Sequence, residues 1–192
     1  MTSRNKRLTA LAGLCTLALA MAGIATLPGA ATRMRSRNEL MKRLRAQWRG
    51  ATYVGDADVI HQPRPNDCGA VCLKMVFASH GLDRDLMKLE TEMGTTPEGV
   101  SLRNLRLAAE HEGLAARSWK LSAPDLLRAP LPAIAFINGD HFVVVRRRIG
   151  SDSLEVDDPA LGRLHWPLKA FCSHWSGETL IFDGSWTPHN SV

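Results

Sequence analysis

Residues 62–81, QPRPNDCGAVCLKMVFASHG, decide how this chain is read. Pro63 and Pro65 hold an extended approach, Asn66 and Asp67 are helix-capping residue types, 70–78 is a mostly apolar body, and Gly81 is a C-terminal stop. The pattern predicts a helix whose first turn holds Cys68. There the unpaired backbone N–H groups and the positive end of the helix dipole favour a thiolate over a thiol and suit an oxyanion. Cys68 is therefore the candidate nucleophile. Cys72, one helical turn later, reads as a packing residue, and no cysteine or histidine spacing offers a metal site.

Upstream, charge organises the chain. Residues 1–32 read as a targeting segment: Arg4, Lys6 and Arg7 precede an uncharged run of 20 residues at 8–27, and Pro28-Gly29-Ala30-Ala31 offers small residues for cleavage. Export is the expectation. Because the run is just long enough to span a bilayer, an uncleaved anchor stays an alternative. Residues 33–50 hold seven Lys or Arg against Glu39 alone, with Leu40, Leu44 and Trp48 at i, i+4, i+8. This predicts a basic amphipathic linker helix, docked by that stripe or lying on a membrane surface. The formal charge of +5 thus misleads, since residues 51–192 hold 14 Lys or Arg against 18 Asp or Glu. An acidic body without basic residues interleaved with aromatics argues against a nucleic-acid partner.

Downstream, residues 82–93 and 101–113 carry helical apolar spacing. Residues 115–121, 133–137, 142–149, 154–156, 164–166 and 179–182 read as strands, with short helical turns at 123–127 and 168–175. Helices first and antiparallel strands after make an α+β domain at 51–184, with a flexible tail expected at 185–192. Asn138-Gly139-Asp140 is a hairpin turn, and His141 opens the strand behind it. An imidazole at a strand end suits proton transfer with Cys68 and needs a carboxylate to orient it. Asp157 and Asp158, at the end of the next strand, each offer one, and strand alternation lets only one of the two face His141. Singly these residues are commonplace: a cysteine at a helix start is often a buried hydrophobe, and Asp before Pro is a turn residue. Their occurrence together and in order points to catalysis.

Gln62, Asp67-Cys68-Gly69-Ala70, Pro132-Ala133-Ile134, His141-Phe142-Val143-Val144-Val145 and Asp158-Pro159-Ala160-x-Gly162 together resemble the bacteriocin-processing cysteine peptidases that cut double-glycine leader peptides. The resemblance covers residues 58–183. It implies a papain-like fold, with N-terminal helices and the nucleophile at a helix start packed on a C-terminal antiparallel β-sheet. It implies Cys68 as nucleophile, His141 as general base and acid, and Gln62 as an oxyanion donor. Asp158, which precedes Pro159, becomes the orienting carboxylate in preference to Asp157. A polypeptide is the implied substrate, with no cofactor and no metal. Typical members are fused to a membrane exporter with an ATP-binding domain, whereas this sequence carries no Gly-x-x-x-x-Gly-Lys phosphate loop. An export apparatus is therefore expected in trans, with action in the periplasm or at the outer face of the inner membrane. A leader-binding module or chaperone that does not cut, and a wall-peptide amidase or transpeptidase on the same residues, are the competing expectations.

Overall fold

The computed structural model describes residues 28–189, and their order follows the switch from helical to alternating apolar spacing. Helix α1 spans Pro28–Trp48 and strand β1 Thr52–Gly55, followed by helices α2 (Cys68–Ser79), α3 (Leu86–Glu92) and α4 (Leu102–His111). Then come β2 (Arg117–Lys120), the short α5 (Ala123–Leu126), β3 (Ala133–Ile137), β4 (His141–Ile149) and β5 (Ser153–Asp158). The run closes with β6 (Gly162–Pro167), α6 (Leu168–Cys172) and β7 (Trp175–Ile181). Seven strands form one sheet in the order β1-β6-β5-β4-β3-β7-β2, and every pairing is antiparallel. The expected α+β order is present. Strand β1 had no sequence expectation, because four residues on a sheet edge carry too little alternation to read.

Strand β4 separates two cores, because successive side chains leave opposite faces of a strand. Phe142 and Val144 join Cys72, Leu73 and Val76 of α2 in one core, while Val143 and Val145 join Leu154, Val156 and Trp166 in the other. Helix α2 buries nine of its residues, from Cys68 to Phe77. Each fully buried Val, Leu or Phe contributes about 1.5–3 kcal/mol, so burial outweighs the ~1 kcal/mol of a missing cap. The cap is indeed missing: Asp67 stands at the N-cap without a side-chain capping bond. Ser101 does cap α4, accepting from Asn104 N at 3.1 Å as its sequence position predicts.

The N-terminal arm differs from its expectation. Two compact units divide between Met41 and Lys42, inside α1. In the first unit Leu40 and Met41 are exposed. In the second, Ala46 is fully buried while Leu44 and Trp48 are exposed, so the expected docking stripe is not what holds the helix. A small alanine permits close approach, Ala51 N donates to Ala46 O at 2.9 Å, and Trp166 Nε1 donates to Arg49 O at 3.0 Å. Within the expected tail, residues 185–189 pack against the body. Trp186 meets Trp119 edge-on with ring centroids 6.5 Å apart, Pro188 is buried, and His189 N donates to Asp125 Oδ1 at 3.2 Å. Residues 190–192, and 1–27 of the expected targeting segment, lie outside the described residues, while α1 includes 28–32. Among the described residues no helix is long and apolar enough to cross a membrane.

Candidate active site

Cys68 is the first residue of α2 and is 6% exposed. The loop before it is fastened by Asp67, whose fully buried carboxylate accepts from Arg64 N at 3.0 Å and from Arg64 Nε at 3.0 and 3.1 Å. Arg64 in turn bonds Glu90 of α3. Gly69 is required by a close approach: a Cβ there would stand 2.3 Å from Val100 Cγ1 and 3.3 Å from Phe142 Cδ2. The DCG step therefore seats Cys68 between a carboxylate-braced loop and the 100 region.

His141 arrives from the sheet. Asn138 (φ 56°) and Gly139 (φ 79°) turn the chain through the left-handed region, and Ile137 pairs with His141 across that turn. Strand register then selects its carboxylate. Val144 pairs with Asp157, so continuing the ladder puts Asp158 opposite Val143, and His141 lies two residues further on the same face, the diagonal position. Accordingly His141 Nε2 lies 2.9 Å from Asp158 Oδ1. Asp157, on the other face, instead takes Arg163 Nε at 2.8 Å and Arg146 Nη1 at 3.1 Å.

Asp158 is fully buried and well supplied with donors. Oδ1 also accepts from Ala160 N at 2.7 Å and Leu161 N at 3.2 Å, and Oδ2 accepts from Arg49 Nη1 at 3.1 Å. Burial raises its pKa, but the His141 hydrogen bond, the Ala160 N–H and Arg49 bring it net below the usual 3.8. His141 shows the reciprocal effect. Burial pulls its pKa down, yet the hydrogen bond to Asp158 and the nearby Cys68 outweigh this and raise it from 6.5 to about 9. With Nε2 committed to Asp158, Nδ1 is the nitrogen left for Cys68. The arrangement joins a cysteine sulfur, an imidazole whose protonated form is favoured and a buried carboxylate, a set suited to acyl transfer.

Two residues add to the motif reading. Both Nε2 hydrogens of Gln62 have carbonyl partners, Arg64 O and Pro65 O, each at 2.9 Å, while its Oε1 is buried without a partner. The amide braces the loop ahead of Cys68. Arg49 was missed altogether, having been counted with the basic arm; the available signal was Arg49-Gly50 closing a helix just ahead of the acidic body. A groove of about 270 Å³ adjoins Cys68, walled by Asn66, Pro97, Gly99, Val100, Phe136 and Phe142. Among the described residues, one group has ligand atoms close enough together for a metal ion, Glu92, His111 and Glu112, and Glu112 is already engaged by Arg84. None of these three belongs to the Cys68 site.

Comparison with known proteins places this geometry. The model of the peptidase C39 family matches residues 56–186. The lactococcin-G-processing and transport ATP-binding protein LagD of Lactococcus lactis subsp. lactis is 28% identical over 129 residues, 64% of this chain and 18% of that protein. The probable functional amyloid protease FapD of Pseudomonas aeruginosa is 31% identical, over 63% of this chain and 58% of its own length. This chain thus spans about a fifth of the transporter-type relative. The crystal structure of a double-glycine-motif protease from an AMS/PCAT transporter, solved with its leader peptide, is 30% identical and superposes with a TM-score of 0.62, over 69% of this chain and 96% of that one. The papain-like fold expected from the motifs is the fold found.

Proposed function

We propose, from the premise that the chain belongs to the peptidase C39 family and is a cysteine peptidase, that it cuts an exported polypeptide behind a double-glycine-type sequence. Cys68 is the nucleophile, His141 the general acid and base, Asp158 the orienting carboxylate and Gln62 an oxyanion donor. One observation carries this reading: His141 Nε2 lies 2.9 Å from Oδ1 of the fully buried Asp158, with Cys68 near enough to help raise the His141 pKa.

The thiolate of Cys68 attacks the scissile carbonyl carbon and forms the S–C bond of a tetrahedral intermediate. The oxyanion is met by the N–H of Cys68, which has no acceptor within its helix, and by Gln62 Nε2 once it turns from the carbonyls of Arg64 and Pro65. His141 gives its proton to the leaving amine as the C–N bond breaks. It then takes a proton from the water that hydrolyses the thioester, which releases the carboxylate product and regenerates Cys68. Asp158 keeps the imidazolium aligned throughout.

The double-glycine preference is supported by a groove whose walls, Pro97, Phe136 and Phe142 among them, stand close to Cys68. Glycine lets a substrate backbone lie against such walls. It is also supported by the relatives, one a bacteriocin-processing transporter and one solved with its leader peptide. The exported setting, in the periplasm or at the outer face of the inner membrane with an export apparatus in trans, rests on the pattern of residues 1–32. FapD, named as a probable functional amyloid protease, extends the candidate substrates to amyloid proteins.

The deciding experiment offers the purified protein peptides with Gly-Gly or Ala-Ala before the scissile bond, beside wall muropeptides, and reads products by mass spectrometry. Cleavage after Gly-Gly, lost in Cys68→Ala, is expected. Turnover of muropeptides alone would replace the reading with an amidase. Binding without cleavage, together with a Cys68 that iodoacetamide labels no faster than a free thiol, would replace it with a leader-binding module.

A further inference from the structure

Helix α1 docks by its small residue and turns its large ones outward. Ala46 is fully buried, Lys42 Nζ holds Asp56 at 2.8 and 2.9 Å, and Arg49 reaches Asp158 at 3.1 Å. At about 100° per residue these three positions share one side of the helix. Leu44 and Trp48, one turn apart on the opposite side, are 47% and 96% exposed. With Arg45, Ala160 and Leu161 they line a surface groove of about 470 Å³, and Arg43 and Arg45, both exposed, flank the stripe. Trp48 is the one tryptophan of five that stands exposed; Trp166 and Trp175 are buried, and Trp119 and Trp186 partly so.

We propose that this outward face is a docking surface for an anionic lipid bilayer. Trp48 and Leu44 enter the headgroup boundary, and Arg43 and Arg45 meet lipid phosphates. Charge complementarity selects this occupant: residues 33–50 carry seven Lys or Arg against Glu39, and five of them remain after Lys42 and Arg49 are taken by Asp56 and Asp158, while residues 51–192 are acidic, so the attraction is confined to the arm. An aromatic and a leucine between flanking arginines suit an interface that is apolar inside and anionic outside. A second copy of the chain is disfavoured, because pairing this face with itself would set arginines against arginines. In sequence, the uncharged run at 8–27 ends one residue before α1 begins. Trp48 is next to Arg49, the residue that holds Asp158, so a docked protein carries its groove close to the lipid surface. The surface stands independently of which peptide bond is cut.

Full-length protein is titrated with vesicles of phosphatidylcholine alone or mixed with phosphatidylglycerol, the acyl chains brominated so that they quench tryptophan on contact. Because Trp48 is the most exposed of the five tryptophans, the part of the quenching that disappears in Trp48→Phe reports on this face. The anionic vesicles are expected to quench and blue-shift the wild-type emission. Trp48→Phe loses that quenching while keeping its peptidase rate, and Arg43→Glu with Arg45→Glu weakens vesicle binding roughly thirtyfold or more. Equal quenching in Trp48→Phe, or equal quenching by neutral vesicles, would overturn the proposal. So would a blue shift that grows with protein concentration without vesicles, which would identify a second copy as the occupant.

Discussion

At the scale of single residues, the two aspartates at the end of β5 are separated by the pleat. Asp158→Asn is expected to lower kcat strongly. Asp157→Asn is expected to spare kcat and lower Tm, because Asp157 is 2% exposed and its loss of charge weakens the bonds from Arg163 and Arg146. Steady-state kinetics with thermal melts on both variants separate these outcomes. The titration of His141 sets an alkaline limit. Its imidazolium must be present to protonate the leaving amine, so kcat/KM is expected to fall with an apparent pKa near 9, against an ordinary 6.5. The same raised pKa means that its contribution to stability is complete below pH 6.5 and is lost as pH rises through 9. Asp158 is depressed, so its contribution is present above pH 3.8 and lost as pH falls through its lower folded value. The Tm difference between wild type and His141→Ala should therefore narrow between pH 7 and pH 10. Gln62→Ala distinguishes donor from brace: a loss of roughly 10²–10³ in kcat without a fall in Tm marks an oxyanion donor, whereas a fall in Tm alone marks a loop brace.

At the scale of elements, the end of α1 and the start of α2 both converge on the tip of β5. Arg49 is carried there by α1, and its removal leaves Asp158 Oδ2 without that donor. Arg49→Met is expected to move the acid limb of kcat/KM upward, because the cation that helps hold the Asp158 pKa down is gone, at a stability cost of about 1–3 kcal/mol. Arg49→Lys should restore the limb in part, and a pH–rate profile of the two variants reads the difference. At the other end, Gly69→Ala places a Cβ 2.3 Å from Val100 Cγ1. The residues around Val100 must retreat from the groove, so both Tm and turnover should fall, at the ~1–3 kcal/mol typical of overpacking.

At the scale of the molecule, the family match begins at residue 56, yet a donor to the fully buried Asp158 comes from residue 49. A chain beginning at residue 51 is accordingly expected to keep the sheet but lose activity in the same direction as Arg49→Met, and to melt lower because Trp166 Nε1 loses its acceptor at Arg49 O. Local signals were enough for much of the protein. The apolar run behind Asp67-Cys68-Gly69 and the alternating strands around Asn138-Gly139 determined α2, the β3–β4 hairpin and the α+β order, because helix and strand periods are properties of short windows. They also put Cys68 and His141 at element ends. Whether Asp157 or Asp158 meets His141 was undecidable from alternation alone; the pairing of Val144 with Asp157 settles the geometry, and register is a relation between two strands. The outward turn of Leu44 and Trp48, the reach of Arg49 and the seating of Gln62 on its own loop were likewise decided only by tertiary structure. A local pattern states which residues share a face but not which surface that face will meet.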